Sequence, residues 1–138
     1  MHKGSNIDKP GRVIVYPKDL LYSKRHVWTR ISGSACRIGI TEYAQDQMGE
    51  ILYADLPPEG SSVSADTPFM EIESGKIIAD IYSPVDGSVH CVNGSLGKTP
   101  RLINESPYED GWIVEISIDD TKGLKELMDS DAYEAFIK

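Results

Sequence analysis

The chain has 138 residues and a formal net charge of −8, from 14 Lys and Arg against 22 Asp and Glu. That length gives one domain a real core and leaves too little for two. The acid excess argues against a nucleic-acid partner, because phosphate binding draws on clustered Lys and Arg. No run approaches the roughly 20 apolar residues that span a bilayer, so no membrane segment is expected, and an acidic surface suits transient docking onto basic rims of partner proteins.

The first twelve residues, "MHKGSNIDKPGR", carry no apolar signal core and no Arg-rich amphipathic transit pattern. They read as a loose leader, residues 1–12, before a single domain, residues 13–138, in a cytoplasmic or already processed protein. "RVIVYPKDLLYS" holds a short apolar stretch ended by Pro17. Two strands follow in "HVWTRISGSACRIGIT", with Ser32-Gly33-Ser34 as the turn between them. Thr41 suits a helix N-cap, Glu42 the first turn, and Gly49 the C′ position, so one short helix is expected over "EYAQDQM".

Ile51 to Leu56 reads as a strand closed by Pro57-Pro58 and a turn at Gly60. "SSVSADTPF" reads as loop, and Phe69 to Ser74 and Ile77 to Tyr82 as the two arms of a hairpin. A turn over Pro84 to Gly87 leads to the strand "SVHCVNG", a long loop "SLGKTPRLINESPYEDG", and a last strand "WIVEISI". Trp112 reads as a core or rim aromatic. The tail reads as helical, with Leu124, Leu127 and Met128 as one apolar stripe and Ser130 as the N-cap of a final helix carrying Tyr133, Phe136 and Ile137. Many short strands with turn signals predict a mainly β sandwich or small barrel with helical additions. The echo of Pro57-x-x-Gly60 in Pro84-x-x-Gly87 suggests two similar halves about a pseudo-twofold axis.

Two cysteines, Cys36 and Cys91, are too few and too far apart for a disulfide framework or a zinc site. They read as small buried hydrophobes. His90 beside Cys91 on a strand points to the opposite face and makes a poor pair with it.

The informative stretch is "MEIESGKIIADIYSPVDG", Met70 to Gly87. Its two half-buried arms flank Glu73-Ser74-Gly75-Lys76, with Gly75 expected to supply the positive φ of a tight turn. Lys76 is then held outward on a stiff support. A solvated charge that discourages edge pairing is the plain reading. A catalytic lysine needs burial to lower its pKa, and a phosphate loop needs several glycines opening a helix; neither condition is met. A protruding lysine on a rigid hairpin suits covalent attachment of a carrier group, reachable by a modifying enzyme and free to swing.

"YSKRHVWTRI", "RIGITEYAQDQMGEILYADLPPEG", "IESGKIIADIYSPVDG", "LINESPYEDGW" and "AYEAF", in that order, resemble the H protein of the glycine cleavage system. The resemblance covers roughly residues 21–137. It implies a barrel-sandwich hybrid fold of the lipoyl/biotinyl type, with one short internal helix and C-terminal helices. Lipoate would be in amide linkage on Lys76, with Glu73, Ser74 and Gly75 as the attachment-turn context. It further implies a non-catalytic, monomeric carrier with no metal, serving three partners: a decarboxylase (P protein), an aminomethyltransferase (T protein) and a dihydrolipoyl dehydrogenase (L protein). A lipoate ligase or lipoyl transferase would load it. Asp80, His26 and Arg25 would line an arm-docking cleft, and Glu71, Glu73 and Asp80 an acidic rim.

Two positions depart from the family pattern. Gly75 and Ile77 flank the lysine where Val and Ala are usual, and Val27 stands between His26 and Trp28 where the family has a glutamate that holds the aminomethyl group. A related lipoyl carrier with another cargo, in sulfur oxidation or lipoate relay, is the second reading, and an unmodified structural module the third.

Overall fold

A computed structural model describes residues 5–9 and 12–138, with side chains from Ile14 onward. Eleven strands form three antiparallel sheets among the described residues. β1 (Ser5–Lys9) pairs with β2 (Arg12–Val15) alone. This replaces the loose leader expected there, at least over these residues, because Ile7, Val13, Ile14 and Val15 give both segments strand-forming side chains. Residues 1–4, 10 and 11 of that expectation lie outside the described residues.

The larger sheet has six strands in the order β3 (Leu21–Tyr22), β4 (Val27–Ser32), β5 (Ala35–Ile40), β11 (Val114–Asp120), β10 (Asp86–Val92), β7 (Ser62–Val63). The smaller has β6 (Ile51–Asp55), β8 (Thr67–Ser74) and β9 (Ile78–Ser83) in that order. The β4–β5 turn is a hairpin with Gly33 at φ 61, as its Ser-Gly-Ser signal requires. The main core lies between the two sheets: Val27, Ile38, Ile40, Val89, Val114 and Ile116 from the larger, Ile51, Ile72 and Ile81 from the smaller, all buried. Period-2 alternation produces this directly, since Met70, Ile72 and Ser74 are buried while Glu71 and Glu73 are exposed.

The other face of the larger sheet carries a second apolar cluster: Ile14, Tyr16, Leu20, Tyr22, Trp28 and Tyr133. Trp28 lies flat on Gly39, where an added Cβ would stand 2.6 Å from the indole Nε1, and that nitrogen donates to the Pro107 carbonyl at 2.8 Å. Trp112 packs against this cluster half-buried, with the Arg37 guanidinium 4.2 Å above its ring.

The segments after the two Pro-x-x-Gly copies lie antiparallel to each other, Gly87 opposite Val63 and Ser88 opposite Ser62. Gly60 N–H donates to Val89 O at 2.7 Å and Val89 N–H to Ser61 O at 2.8 Å.

Helix α1 (Glu42–Met48) begins at Thr41, whose hydroxyl accepts from Ala44 N–H at 3.2 Å, and ends at Gly49 with φ 81. Four other expectations are corrected. The long loop before β11 contains a 3-10 turn at Gly94–Gly97 and a second helix, α2 (Leu102–Glu105), which the prolines and polar residues around it obscure. The loop before β8 contains β7, two residues long and too short for any period to show. The last helix, α3 (Ser130–Phe136), is capped by Asp129, not Ser130: Asp129 Oδ1 accepts from Ala132 N–H at 2.8 Å, while Ser130 is buried in the first turn. The stripe Leu124–Leu127–Met128 is split, because its 3-10 helix stops at Glu126 and Met128 pairs with Tyr22 in an isolated bridge.

Candidate functional site

Ser74, Gly75, Lys76 and Ile77 form the turn between β8 and β9. Ser74 N–H donates to Ile77 O at 2.9 Å. The buried Ser74 hydroxyl accepts from Lys76 N–H and Ile77 N–H, each at 3.2 Å. The turn is therefore tied by a side chain that mimics a backbone acceptor. Gly75 does not take the positive φ expected of it: the glycines in that region are Gly33, Gly49 and Gly60. A Cβ on Gly75 would meet nothing within 4 Å, so the turn itself accommodates a side chain there. Ser74 fixes the turn instead.

Lys76 is exposed at the tip. Its aliphatic stem bends back across the end of α1, where a Cβ added to Gly49 would lie 3.3 Å from Lys76 Cε and 3.8 Å from Nζ. Gly49 is held beneath it by Asn104 of α2, whose Nδ2 donates to Gly49 O at 2.8 Å and to Gln45 Oε1 at 2.9 Å, while its Oδ1 accepts from Ile51 N–H at 2.8 Å.

A cleft of about 450 Å³ runs beside this anchor. One wall is α1, through Tyr43, Ala44, Gln47 and Met48; the other is β9, through Ala79, Asp80, Ile81 and Tyr82. Lys24, Arg25, His26 and Ile40 complete it. Met48, the last residue of α1, lines this cleft, and Gly49, beneath the lysine stem, lines a separate hollow with Gln45, Glu50 and Asn104. Arg25, His26 and Asp80 all border the cleft, and Asp80, opposite Glu71 in the β8–β9 register, shares the exposed outer face of the small sheet with Glu71 and Glu73. The Arg25 guanidinium sits 4.2 Å from the Tyr82 ring centroid and its Nε donates to Asp66 Oδ1 at 3.1 Å. This stack divides the cleft from a neighbouring hollow of about 420 Å³ lined also by Ala65, Pro84 and Leu127.

His26 has φ 67, an uncommon conformation for a residue with a Cβ. It is held by the Ser23–Val27 turn, in which His26 N–H donates to Ser23 O at 3.1 Å and Thr41 N–H donates to His26 O at 3.0 Å. Its Nδ1 lies 2.7 Å from Tyr133 Oη, which is 2.8 Å from Thr41 Oγ1. Thr41 already accepts from Ala44, so one assignment uses every hydroxyl hydrogen: Thr41 donates to Tyr133, and Tyr133 donates to Nδ1. The imidazole is then neutral with its proton on Nε2. Burial agrees, holding the His26 pKa below the ordinary imidazole value.

Val27 is fully buried in the main core and is not among the cleft-lining residues. Among the described residues that line the cleft, Asp80 is the carboxylate. Cys36 and Cys91 are free; Cys36 is buried, which pushes its thiol up to about 12, and no group of three or more His, Cys, Asp or Glu that could hold a metal ion occurs among the described residues.

A small sheet bearing a lysine-tipped hairpin, packed face to face on a larger sheet across one apolar core, defines a barrel-sandwich hybrid carrier of the lipoyl/biotinyl type. The family model for glycine cleavage H-protein matches residues 20–138. A glycine cleavage system H protein of Brevibacillus brevis is 44% identical over 123 residues, covering 89% of this chain and 98% of that protein. That of Bacillus subtilis is 41% identical over 118 residues, covering 86% and 93%. The crystal structure of a glycine cleavage system H protein from Mycobacterium marinum superposes with a TM-score of 0.80 at 28% identity, covering 87% of this chain and 97% of that one. The chain belongs to the glycine cleavage H-protein family.

Sequence reasoning missed Tyr43, Tyr82, Gly49 and Asn104 as parts of the site, and read Tyr133 as packing alone. Gly49 carried a usable signal as the helix C′ residue. Asn104 lay inside the segment read as loop.

Proposed function

We propose that this protein is the lipoylated carrier of glycine cleavage, with Lys76 as the attachment residue. Members of its family carry covalently attached lipoate and work with the P, T and L proteins of that system. The supporting observation is an exposed lysine on a hydroxyl-tied turn, its stem lying across Gly49 at the end of α1, the helix that forms one wall of a cleft with apolar walls. Ile40, Ala44, Met48, Ala79 and Ile81 give those walls the character an aliphatic arm requires.

When attached, the dithiolane supplies the acceptor for the aminomethyl group left as glycine loses CO2. The chain's own residues anchor and shelter it. Ser74 keeps the anchor's backbone rigid. Tyr43 and Met48 exclude water from one wall. Asp80 offers a carboxylate to an ammonium group, a charge-assisted contact that falls to Asp80 here because position 27 is valine. His26 presents an Nε2–H donor and bears no charge at neutral pH.

In this reading residues 13–138 act as one carrier domain that catalyses nothing itself, as a cytoplasmic monomer that a lipoate ligase or lipoyl transferase loads. No helix among the described residues is long and apolar enough to cross a membrane. The tether raises the effective concentration of cargo at each partner. A different cargo is not favoured, since the relatives just described are glycine cleavage proteins.

The test is the intact mass of protein made in a lipoylation-competent host, followed by glycine–bicarbonate exchange with a P protein. One lipoyl adduct on the wild type, none on Lys76→Arg, and exchange stimulated only by the former are expected. An adduct that persists in Lys76→Arg, or a lipoylated protein that stimulates no exchange, refutes the assignment.

A further inference from the structure

The outer face of the three-stranded sheet, next to Lys76, is built in two rungs. In the rung nearest the turn, Tyr53 of β6, Glu73 of β8 and Ile78 of β9 stand side by side. The register shifts between Ile51 and Tyr53, so Leu52 turns outward as well. Leu52, Tyr53, Ile77 and Ile78 are 55, 56, 48 and 63% exposed, and they are four of the seven large exposed hydrophobic residues among those described. Such a concentration at one end of one small sheet marks an interaction surface.

The next rung places Asp55, Glu71 and Asp80 directly opposite one another, all exposed. Like charges opposed across strands are destabilising. No ion pair among the described residues involves any of the three, or Glu73. The face thus pairs an apolar centre beside the lysine with an acidic margin that lacks its own counter-charges.

We infer that this face is the docking surface for the enzyme that acylates Lys76, an enzyme whose contact surface carries an apolar centre rimmed by Lys or Arg. The inference rests on the attachment reading above. Contiguity selects this partner: the acylating enzyme must bring its activated carboxyl to Nζ at the tip, and its footprint then falls on the residues of the turn and the adjoining rung. Charge selects the rim: basic residues relieve the repulsion in the Asp55–Glu71–Asp80 rung. The step is amide formation. The lysine amine attacks lipoyl-adenylate, the acyl–phosphate bond breaks, AMP leaves, and the amine gives up one proton.

The experiment measures acylation of the full chain by a purified lipoate–protein ligase with ATP and lipoate, read by intact mass. Tyr53→Ser/Ile78→Ser is expected to raise KM for the carrier roughly fivefold to tenfold with kcat unchanged, as loss of apolar anchors does. Glu71→Gln/Asp55→Asn is expected to flatten the rise of KM with salt that the wild type shows. Ile31→Ser, an exposed isoleucine on the larger sheet, is the control and leaves KM unchanged. Thermal melts confirm that all variants fold. An unchanged KM in the rung variants, an equal rise in the control, or normal acylation with loss only of exchange with a P protein overturns the docking face while the attachment reading stands. A wild type that is never acylated on Lys76 overturns both.

Discussion

Tyr133→Phe isolates a single oxygen. The ring stays, and with it the stacking on Tyr22 at 4.9 Å and 13° and the edge contact with Tyr16 at 5.4 Å. What is lost is the hydroxyl between His26 Nδ1 at 2.7 Å and Thr41 Oγ1 at 2.8 Å. Each hydrogen bond contributes about 0.5–1.5 kcal/mol net. The partners then differ. His26 is half-buried and borders the cleft, so water replaces the lost donor; Thr41 is fully buried, and although its oxygen still accepts from Ala44 N–H, its hydroxyl hydrogen loses its acceptor. Two bonds with one stranded group sum to about 2–3 kcal/mol of lost stability, or roughly 6–12 °C in Tm for a chain of this size. Urea unfolding followed by tryptophan fluorescence reads this, with the m-value as a check that the unfolded state is unaltered. The Thr41→Val/Tyr133→Phe double variant should cost less than the two single variants added together, because they share one bond. A loss below about 0.5 kcal/mol for Tyr133→Phe, or strict additivity in the cycle, refutes the network as described.

Burial lowers the His26 pKa on folding, so the unfolded chain takes up the proton first. The stabilisation is fully present above the unfolded value of about 6.5 and is lost as pH falls through the folded pKa. His26→Asn, which tolerates the positive φ, should flatten the decline in urea midpoint between about pH 7 and pH 5.5; a slope equal to the wild type's there removes His26 as its source. Gly75→Ala meets open space in a backbone region open to any residue, so thermal unfolding should show a gain of about 0.4–1 kcal/mol from the less flexible unfolded chain. A loss of stability would show that the turn does need glycine.

The strands were legible because each buried face alternates cleanly. Met70, Ile72 and Ser74 against Phe69, Glu71 and Glu73 fix both the hairpin and which side meets the core. Helix α1 was legible from its ends, Thr41 and Gly49, more than from its seven residues. What was not legible depended on partners far along the chain. Asp129 rather than Ser130 caps α3 because Ser130 is drawn into the buried first turn, and no local rule separates two adjacent good caps. Asn104 reads as a loop residue until α1 and β6 are set beside it. Gly75 reads as the backbone device of the turn by residue type alone, although the adjacent serine hydroxyl performs that role.

Position 27 joins these lessons to function. In sequence, Val27 in place of a glutamate reads as a contact removed from the cleft. In the fold, Val27 is packed into the main core and His26, one residue earlier, faces the cleft. The carboxylate bordering the cleft is Asp80, on the outer face of the strand that leads directly out of the lysine turn. Lys76 and Asp80 therefore sit on one hairpin, four positions apart, with their spacing set by the β8–β9 register rather than by packing between distant segments. On the proposed reading, the contact that holds an amine moves with the lysine turn, so a carrier arranged this way tolerates an apolar residue at position 27.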